Sequence, residues 1–344
     1  MNLRNSFITG IKWSFVQQGL TQVLNYISIF WLANLITPED FGRVALVVVL
    51  VGAFEAINGF GVSQLIIRDH IVDRRIISTY FWLIVGLSTA LFLACLVGGI
   101  VYSLFFDFTD LIVFYSLIVV SSLSIPINGV NSVFSALYSR DLDFKFPARI
   151  FVFSLLVGNS LAIVSGYLGW GFWALLIKNL IPNVIISLCY WIHGRYKMFF
   201  YFDRLLIKGT WNFSSNFTYF NALNYLIRNL DYVLIGRFFD LATVGQYSIA
   251  YKIMLFPMKN ITARIHTILY PVLVKMKNDI KRIERTSSII VSGIAYLIFP
   301  LIVLVSSLAH LWIPIIFDVE RYDKLVVLVQ VLSVVGAVRE LRDQ

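Results

Sequence analysis

About ten apolar runs, each roughly 20 residues or longer, divide this chain, and that is the length an α-helix needs to cross the hydrocarbon core of a bilayer. Inside lipid every backbone N–H and C=O must find its partner within the protein, so such a chain folds as packed helices. The runs read as 11–36, 44–67, 76–104, 111–137, 146–168, 172–193, 211–236, 245–270, 289–311 and 325–338. Composition agrees, with 59% hydrophobic and 14% charged residues, against about 25% charged in a soluble domain. The expected fold is all-α: a polytopic transmembrane helical bundle of about 10 spans.

The connections alternate in charge, which sets orientation. One side carries Arg4, Lys12, Arg68, Arg74, Arg75, Arg140, Lys145 and Arg149, then Arg195, Lys197, Arg204 and Lys208. The same side continues with Lys275, Lys277, Lys281, Arg282, Arg285, Arg339 and Arg342. The other side has Arg43, Arg237, Arg321 and Lys324. Nineteen against four predicts cytoplasmic termini for an inner-type membrane protein. The formal charge of +9 then serves topology and contact with anionic lipid headgroups. Nucleic acid is not an expected partner, because these charges are dispersed over short loops and form no single patch. No cleavable signal is expected, since the first apolar run is longer than a signal-peptide core and lacks a small-residue cleavage site.

No catalytic or metal-binding pattern emerges. Cys95 and Cys189 fall within apolar runs, and His70, His193, His266 and His310 are scattered. No metal, cofactor or disulfide is expected from them. The outward connections, about 4 to 14 residues long, are too short for a catalytic domain, so the expectation is not an enzyme.

A weak repeat recurs about 200 residues on. Gly10-Ile11-Lys12-Trp13, Asn25-Tyr26 and Phe41-Gly42-Arg43-Val44 are matched by Gly209-Thr210-Trp211, Asn224-Tyr225 and Val244-Gly245-Gln246-Tyr247. Six spans between the copies preserve orientation, which implies two pseudo-repeated lobes around a central cavity. The expected division is an N-terminal lobe over 1–192, a cytoplasmic linker over 193–210 and a partial C-terminal lobe over 211–344.

Polar stripes run inside the spans. The first carries Ser14, Gln18, Thr21, Asn25 and Ser28; the seventh carries Ser214, Thr218, Asn221, Asn224, Arg228 and Asp231. Their three- and four-residue spacings put each set on one helical face. A stripe of this kind faces protein or water, as interhelical glue or as the wall of a hydrated cavity. The eighth run adds Lys252, Lys259 and His266 every seven residues, and Lys178 and Arg264 supply further cations. Arg228 and Asp231 are spaced to pair. Glu55 either pairs with a cation or acts as a proton or cation site. The cavity set is therefore Arg228, Lys259, Lys252, Asp231, Asn25, Asn224, Glu55 and Lys178, and its excess of cations points to an anionic cargo. Pro126, Pro182, Pro257 and Pro300 are candidate kinks.

Several segments carry a family resemblance. They are Leu35-Ile36-Thr37-Pro38-Glu39-Asp40-Phe41-Gly42-Arg43, Gly59-Phe60-Gly61-Val62-Ser63-Gln64, and Gly166-Tyr167-Leu168-Gly169-Trp170-Gly171. In the second half they are Asn229-Leu230-Asp231-Tyr232 and Gly245-Gln246-Tyr247-Ser248. In order and spacing they resemble the polysaccharide exporters, or lipid-linked oligosaccharide flippases, of the multidrug/oligosaccharidyl-lipid/polysaccharide superfamily. The resemblance implies an inner-membrane flippase that moves undecaprenyl-pyrophosphate-linked oligosaccharide repeat units outward for O-antigen, capsule or exopolysaccharide assembly. Its partners would be that lipid-linked sugar, membrane lipids and other polysaccharide-assembly proteins. It also implies that cavity cations, here Arg228 and Lys259, meet the pyrophosphate. Family members usually have a dozen or more spans, so about ten reads as a C-terminal truncation. They also often have an arginine where this chain has Asn34. The alternatives are a cation-coupled multidrug exporter of the same superfamily and a non-functional truncated homologue.

Overall fold

The computed structural model describes residues 3–59, 61–68, 73–105, 110–194, 196, 198–255, 280–318 and 320–343. Lys259, Arg264, His266 and Pro257 lie outside them. The described chain is helical throughout: α1 (Leu3–Leu35), α2 (Pro38–Asn58), α3 (Val62–Arg68), α4 (Arg74–Ser103), α5 (Leu111–Ser122), α6 (Ser124–Arg140), α7 (Lys145–Tyr167), α8 (Phe172–His193) and α9 (Arg204–Phe238). Then come α10 (241–255), α11 (Ile280–Ser307), α12 (Ala309–Ile316) and α13 (Leu325–Asp343).

Among the described residues five stretches are long and apolar enough to cross a membrane: Pro38–Ile67, Arg74–Ser103, Leu111–Arg140, Lys145–Tyr167 and Phe172–His193. They coincide with the second to sixth expected spans within a few residues. A sixth is the pair α11–α12 if it counts as one span, bent by 66° near Leu308. The other expected spans are helical where described, α1 and α9 running for 33 and 35 residues. Polar and charged side chains spaced along α9 keep it below that hydropathy. Outward-facing aliphatic side chains, such as Leu93, Val97 and Ile100 on α4 and Leu161 and Val164 on α7, are more than two-fifths exposed. Side chains of that kind belong against lipid rather than water. The protein is a multi-pass membrane protein.

Local chemistry sets the helix ends. Thr37 caps α2 by accepting the Asp40 N–H at 3.3 Å, with Pro38 in the first turn and Glu39 and Asp40 beside the positive end. Asp110 caps α5 by accepting the N–H groups of Ile112 and Val113. The α7–α8 hairpin turns in four residues because Gly169 (φ +76°) and Gly171 (φ +54°) take a left-handed backbone that side chains oppose. The helical line between α5 and α6 breaks at Leu123, where Pro126 has no N–H to offer the Ser122 carbonyl. Pro182 and Pro300 sit inside α8 and α11 without interrupting them.

Contacts divide the chain into two compact units, Met1–Leu241 and Ala242–Gln344. The division falls after α9, which packs along α2 in the first unit. In the first unit α7 lies between α1 and α8, and α6 packs on α3, α4 and α8. Its core is aromatic: Phe134 stacks on Tyr190 (5.5 Å between centroids), and Tyr190 on Tyr138 (5.6 Å). The connection 194–203 is pinned across that core. Trp82 Nε1 donates to the Phe199 carbonyl (3.0 Å), the Asp203 N–H to Thr79 Oγ1 (3.3 Å), and Tyr196 Oη to the Asp141 carboxylate.

In the second unit α13 packs on α11 and α12. Gln246 on α10 donates to Asp323 Oδ1 (2.9 Å) and accepts the Lys324 N–H (2.8 Å), while Lys324 Nζ donates to Thr243 Oγ1 (2.8 Å). The Gln246 amide holds the Asp323 carboxyl below its usual pKa. The two repeat copies take the same local form. A long helix, α1 or α9, ends in two non-helical residues, 36–37 or 239–240, before α2 or α10 begins.

Candidate functional site

A cavity of about 290 Å³ opens in the first unit between α2, α5, α6, α8 and α9. Its polar lining is Glu55, Ser121, Ser124, Asn128, Asn179, Asn183 and Tyr225, set among Val48, Val51, Val120, Leu176 and Leu180. At about 1.5 Å per residue, Glu55 lies roughly 25 Å along the helix from Pro38. It lies 12 residues before the other end of the same apolar stretch, Pro38–Ile67, and so within that span rather than at its edge.

A carboxylate at this depth is costly unless it is hydrogen-bonded. Glu55 Oε1 accepts from Ser124 Oγ at 2.5 Å and from Asn128 Nδ2 at 2.9 Å. The break at Leu123 makes this possible: α6 restarts at Ser124, so its positive N-terminal end and the Ser124 hydroxyl meet the carboxylate together. One turn inward on α2, Asn58 Nδ2 donates to the Ile125 carbonyl (2.6 Å), and Ser88 Oγ donates to Asn58 Oδ1 (2.7 Å). These buried bonds tie α2, α4 and α6 into one frame behind Glu55.

Tyr225 closes another wall. Its hydroxyl donates to the Val49 carbonyl at 3.2 Å, with the Val48 carbonyl at 3.4 Å. The ring fits only because residue 52 is glycine: a Cβ there would overlap the Tyr225 hydroxyl and stand 3.0 Å from Cε2. On α8, Asn183 Nδ2 donates to the Asn179 carbonyl (3.2 Å), and the Asn183 carbonyl accepts from Asn131 Nδ2 (3.0 Å). Ser121 Oγ is buried in the wall, with no hydrogen-bond partner among the described residues.

Of the seven described residues among the eight named from the sequence, Glu55 alone lines this cavity. Lys178 turns the other way on α8, and its Nζ donates to the Asn25 carbonyl of α1 at 3.3 Å. That contact brings Lys178 and Asn25 together as a helix–helix tie. Asn224 is half-buried on α9, one residue from Tyr225. Arg228 is exposed on α9, and among the described residues no ion pair joins it to Asp231. Asp231 Oδ1 accepts the Tyr232 N–H at 3.0 Å. Lys252 is exposed on α10 in the second unit. Lys259 lies outside the described residues.

Sequence reasoning missed Ser124, Asn128, Asn179, Asn183 and Tyr225. Two signals were available: Ser121, Ser124, Asn128 and Asn131 recur at three- and four-residue spacing, and Asn179 and Asn183 are four apart. Thr21 and Thr218 of the α1 and α9 stripes bond within their own helices, as does Asn229 beside the α9 stripe, while Ser214 Oγ is buried with no hydrogen-bond partner among the described residues. Thr21 Oγ1 donates to the Gln17 carbonyl, Thr218 Oγ1 to Ser214 and Asn229 Nδ2 to Tyr225.

Comparison with known proteins agrees with this architecture. The chain is similar to the lipopolysaccharide biosynthesis protein WzxC of Escherichia coli (strain K12), 23% identical over 99% of this chain and 69% of the relative. It is also similar to the teichuronic acid biosynthesis protein TuaB of Bacillus subtilis (strain 168), 24% identical over 99% of this chain and 70% of the relative. A third is the succinoglycan biosynthesis transport protein ExoT of Rhizobium meliloti (strain 1021), 23% identical over 79% of this chain and 54% of the relative. No solved structure matches. The family described as polysaccharide biosynthesis protein matches residues 31–326. The chain belongs to that family.

Proposed function

We propose that this protein is a flippase that carries undecaprenyl-pyrophosphate-linked oligosaccharide repeat units from the cytoplasmic to the periplasmic leaflet of the inner membrane. The cargo feeds O-antigen, capsule or exopolysaccharide assembly. The observation that carries the reading is a polar cavity walled by five helices within the membrane-spanning stretches, in a multi-pass chain of the polysaccharide biosynthesis family. Such a cavity lets hydroxyl-rich cargo pass through a region where bare polar groups are costly. The nineteen-to-four charge asymmetry supports cytoplasmic termini. The protein supplies a path and carries out no bond chemistry. Arg228 and Lys259 are the proposed contacts for the pyrophosphate, whose charge a desolvated cation offsets strongly.

One observation favours a second reading. Among the described residues the cavity's one carboxylate is Glu55 and no Lys, Arg or His lines it, which suits a cation-coupled exporter of organic cations. Deletion of the gene separates the two. The flippase reading expects loss of surface glycan, lipid-linked repeat units accumulating inside, and recovery on complementation. Normal glycan together with heightened sensitivity to cationic drugs supports the exporter and contradicts the flippase.

A further inference from the structure

We infer that the Glu55 cavity is a sugar subsite that takes an uncharged pyranose of the lipid-linked cargo, a neutral hexose or N-acetylhexosamine, with Glu55 setting that specificity. The inference rests on the flippase reading and goes beyond it by naming which part of the cargo the cavity holds and which sugars it rejects.

The donor and acceptor pattern is the first argument. Both protein donors to Glu55, Ser124 Oγ and Asn128 Nδ2, fall on Oε1. Among the described residues no hydrogen bond reaches Oε2, which leaves that oxygen to accept hydroxyl protons from an occupant. Ser121 Oγ, buried in the same wall without a partner among the described residues, has a bond to give or take. Asn179 and Asn183 place further amide groups across the cavity on α8. A carboxylate with one oxygen unengaged and asparagine amides lining one space match the alternating donors and acceptors of a polyol.

Charge is the second argument. Among the described residues the lining has one carboxylate and no cation. A uronic acid or pyrophosphate seated there would put two negative charges together in a poorly screened site, with nothing to compensate. The pyrophosphate therefore sits elsewhere, and the cavity rejects acidic sugars by repulsion rather than by shape. Size is the third. About 290 Å³ accommodates one ring and is too small for a whole repeat unit, so the subsite reads a single residue of the cargo.

The test uses the full-length protein in lipid nanodiscs and four synthetic probes. These are farnesyl pyrophosphate alone and farnesyl pyrophosphate carrying glucose, N-acetylglucosamine or glucuronic acid, with binding measured at neutral pH. Wild type is expected to bind the glucose and N-acetylglucosamine probes about tenfold or more tighter than the glucuronic acid probe. Glu55→Gln keeps an oxygen for Ser124 and Asn128 while removing the charge. It is expected to bring the glucuronic acid probe to within about threefold of the others. Asn128→Ala is expected to weaken both neutral-sugar probes while leaving the sugar-free probe unchanged. If wild type and Glu55→Gln bind all three sugar probes equally, and as well as the sugar-free probe, the subsite is overturned while the flippase reading stands. If none of the four probes binds, both readings fail.

Discussion

Glu55 is the residue on which the first unit's polar chemistry converges, and its surroundings show how much of the site a sequence exposes. An acid alone in an apolar run is conspicuous, so Glu55 is legible. Its partners are not, because four polar residues on α5–α6 and two on α8 look like any helix face until packing turns them toward one space. Lys178 makes the same point in reverse. It neighbours Asn179 on α8, yet the helix turn separating their directions sends it to the Asn25 carbonyl of α1 and not into the cavity. Among the described residues, the cationic excess read from the sequence is thus absent from this cavity, although it holds for the chain. Gly52 is the most sensitive position beside it, since Tyr225 occupies the space a side chain would take. Gly52→Val should displace Tyr225 from the Val49 carbonyl and cost about 1–3 kcal/mol in overpacking. A lowered melting temperature in detergent checks this, and Gly52→Val with Tyr225→Ala should recover part of the loss. A Gly52→Val protein as stable as wild type would contradict the packing.

Element boundaries were the most legible level, because apolar length and the charges that end it are both written in the chain. The second to sixth spans fall where hydrophobicity and Arg74, Lys145 and His193 place them. The bend at Leu308 was not legible: Pro300 is the residue that draws attention, yet α11 runs through it and breaks about two turns later. Neither was the assignment of α9 to the first unit, which depends on Tyr225 fitting over Gly52 rather than on any property of α9 alone. Orientation and the stripes share one test. In a protein with Cys95 and Cys189 replaced by serine, single cysteines at Trp170 and Asp141 occupy the turns at opposite ends of α7. A membrane-impermeant thiol reagent on intact cells should label the Trp170→Cys protein, and the Asp141→Cys protein only after permeabilisation. A small permeant reagent should react with Asn224→Cys and Asn25→Cys but not with Ile29→Cys, which is buried. Labelling of Asp141→Cys in intact cells would reverse the topology, and equal reaction at Ile29 would remove the stripes as a hydrated face.

For the whole molecule, the repeat of long helix, two-residue break and helix at 36–37 and 239–240 fits a transporter built from two copies of one design. The proposed division of labour follows from charge. An uncharged sugar is read in the first unit at Glu55, and the pyrophosphate is met by cations such as Arg228 and Lys259, so that the two ends of one cargo engage different chemistry. The central claim is movement of that cargo across a bilayer. It is measured most directly in proteoliposomes holding the purified protein and an undecaprenyl-pyrophosphate-linked oligosaccharide with a fluorescent sugar label. Quencher added outside reports how much label is exposed. With active protein the initially protected fraction should become accessible at a rate that rises with protein per vesicle and falls on Glu55→Gln or Arg228→Gln. Accessibility that changes no faster than in protein-free vesicles would contradict the flippase account.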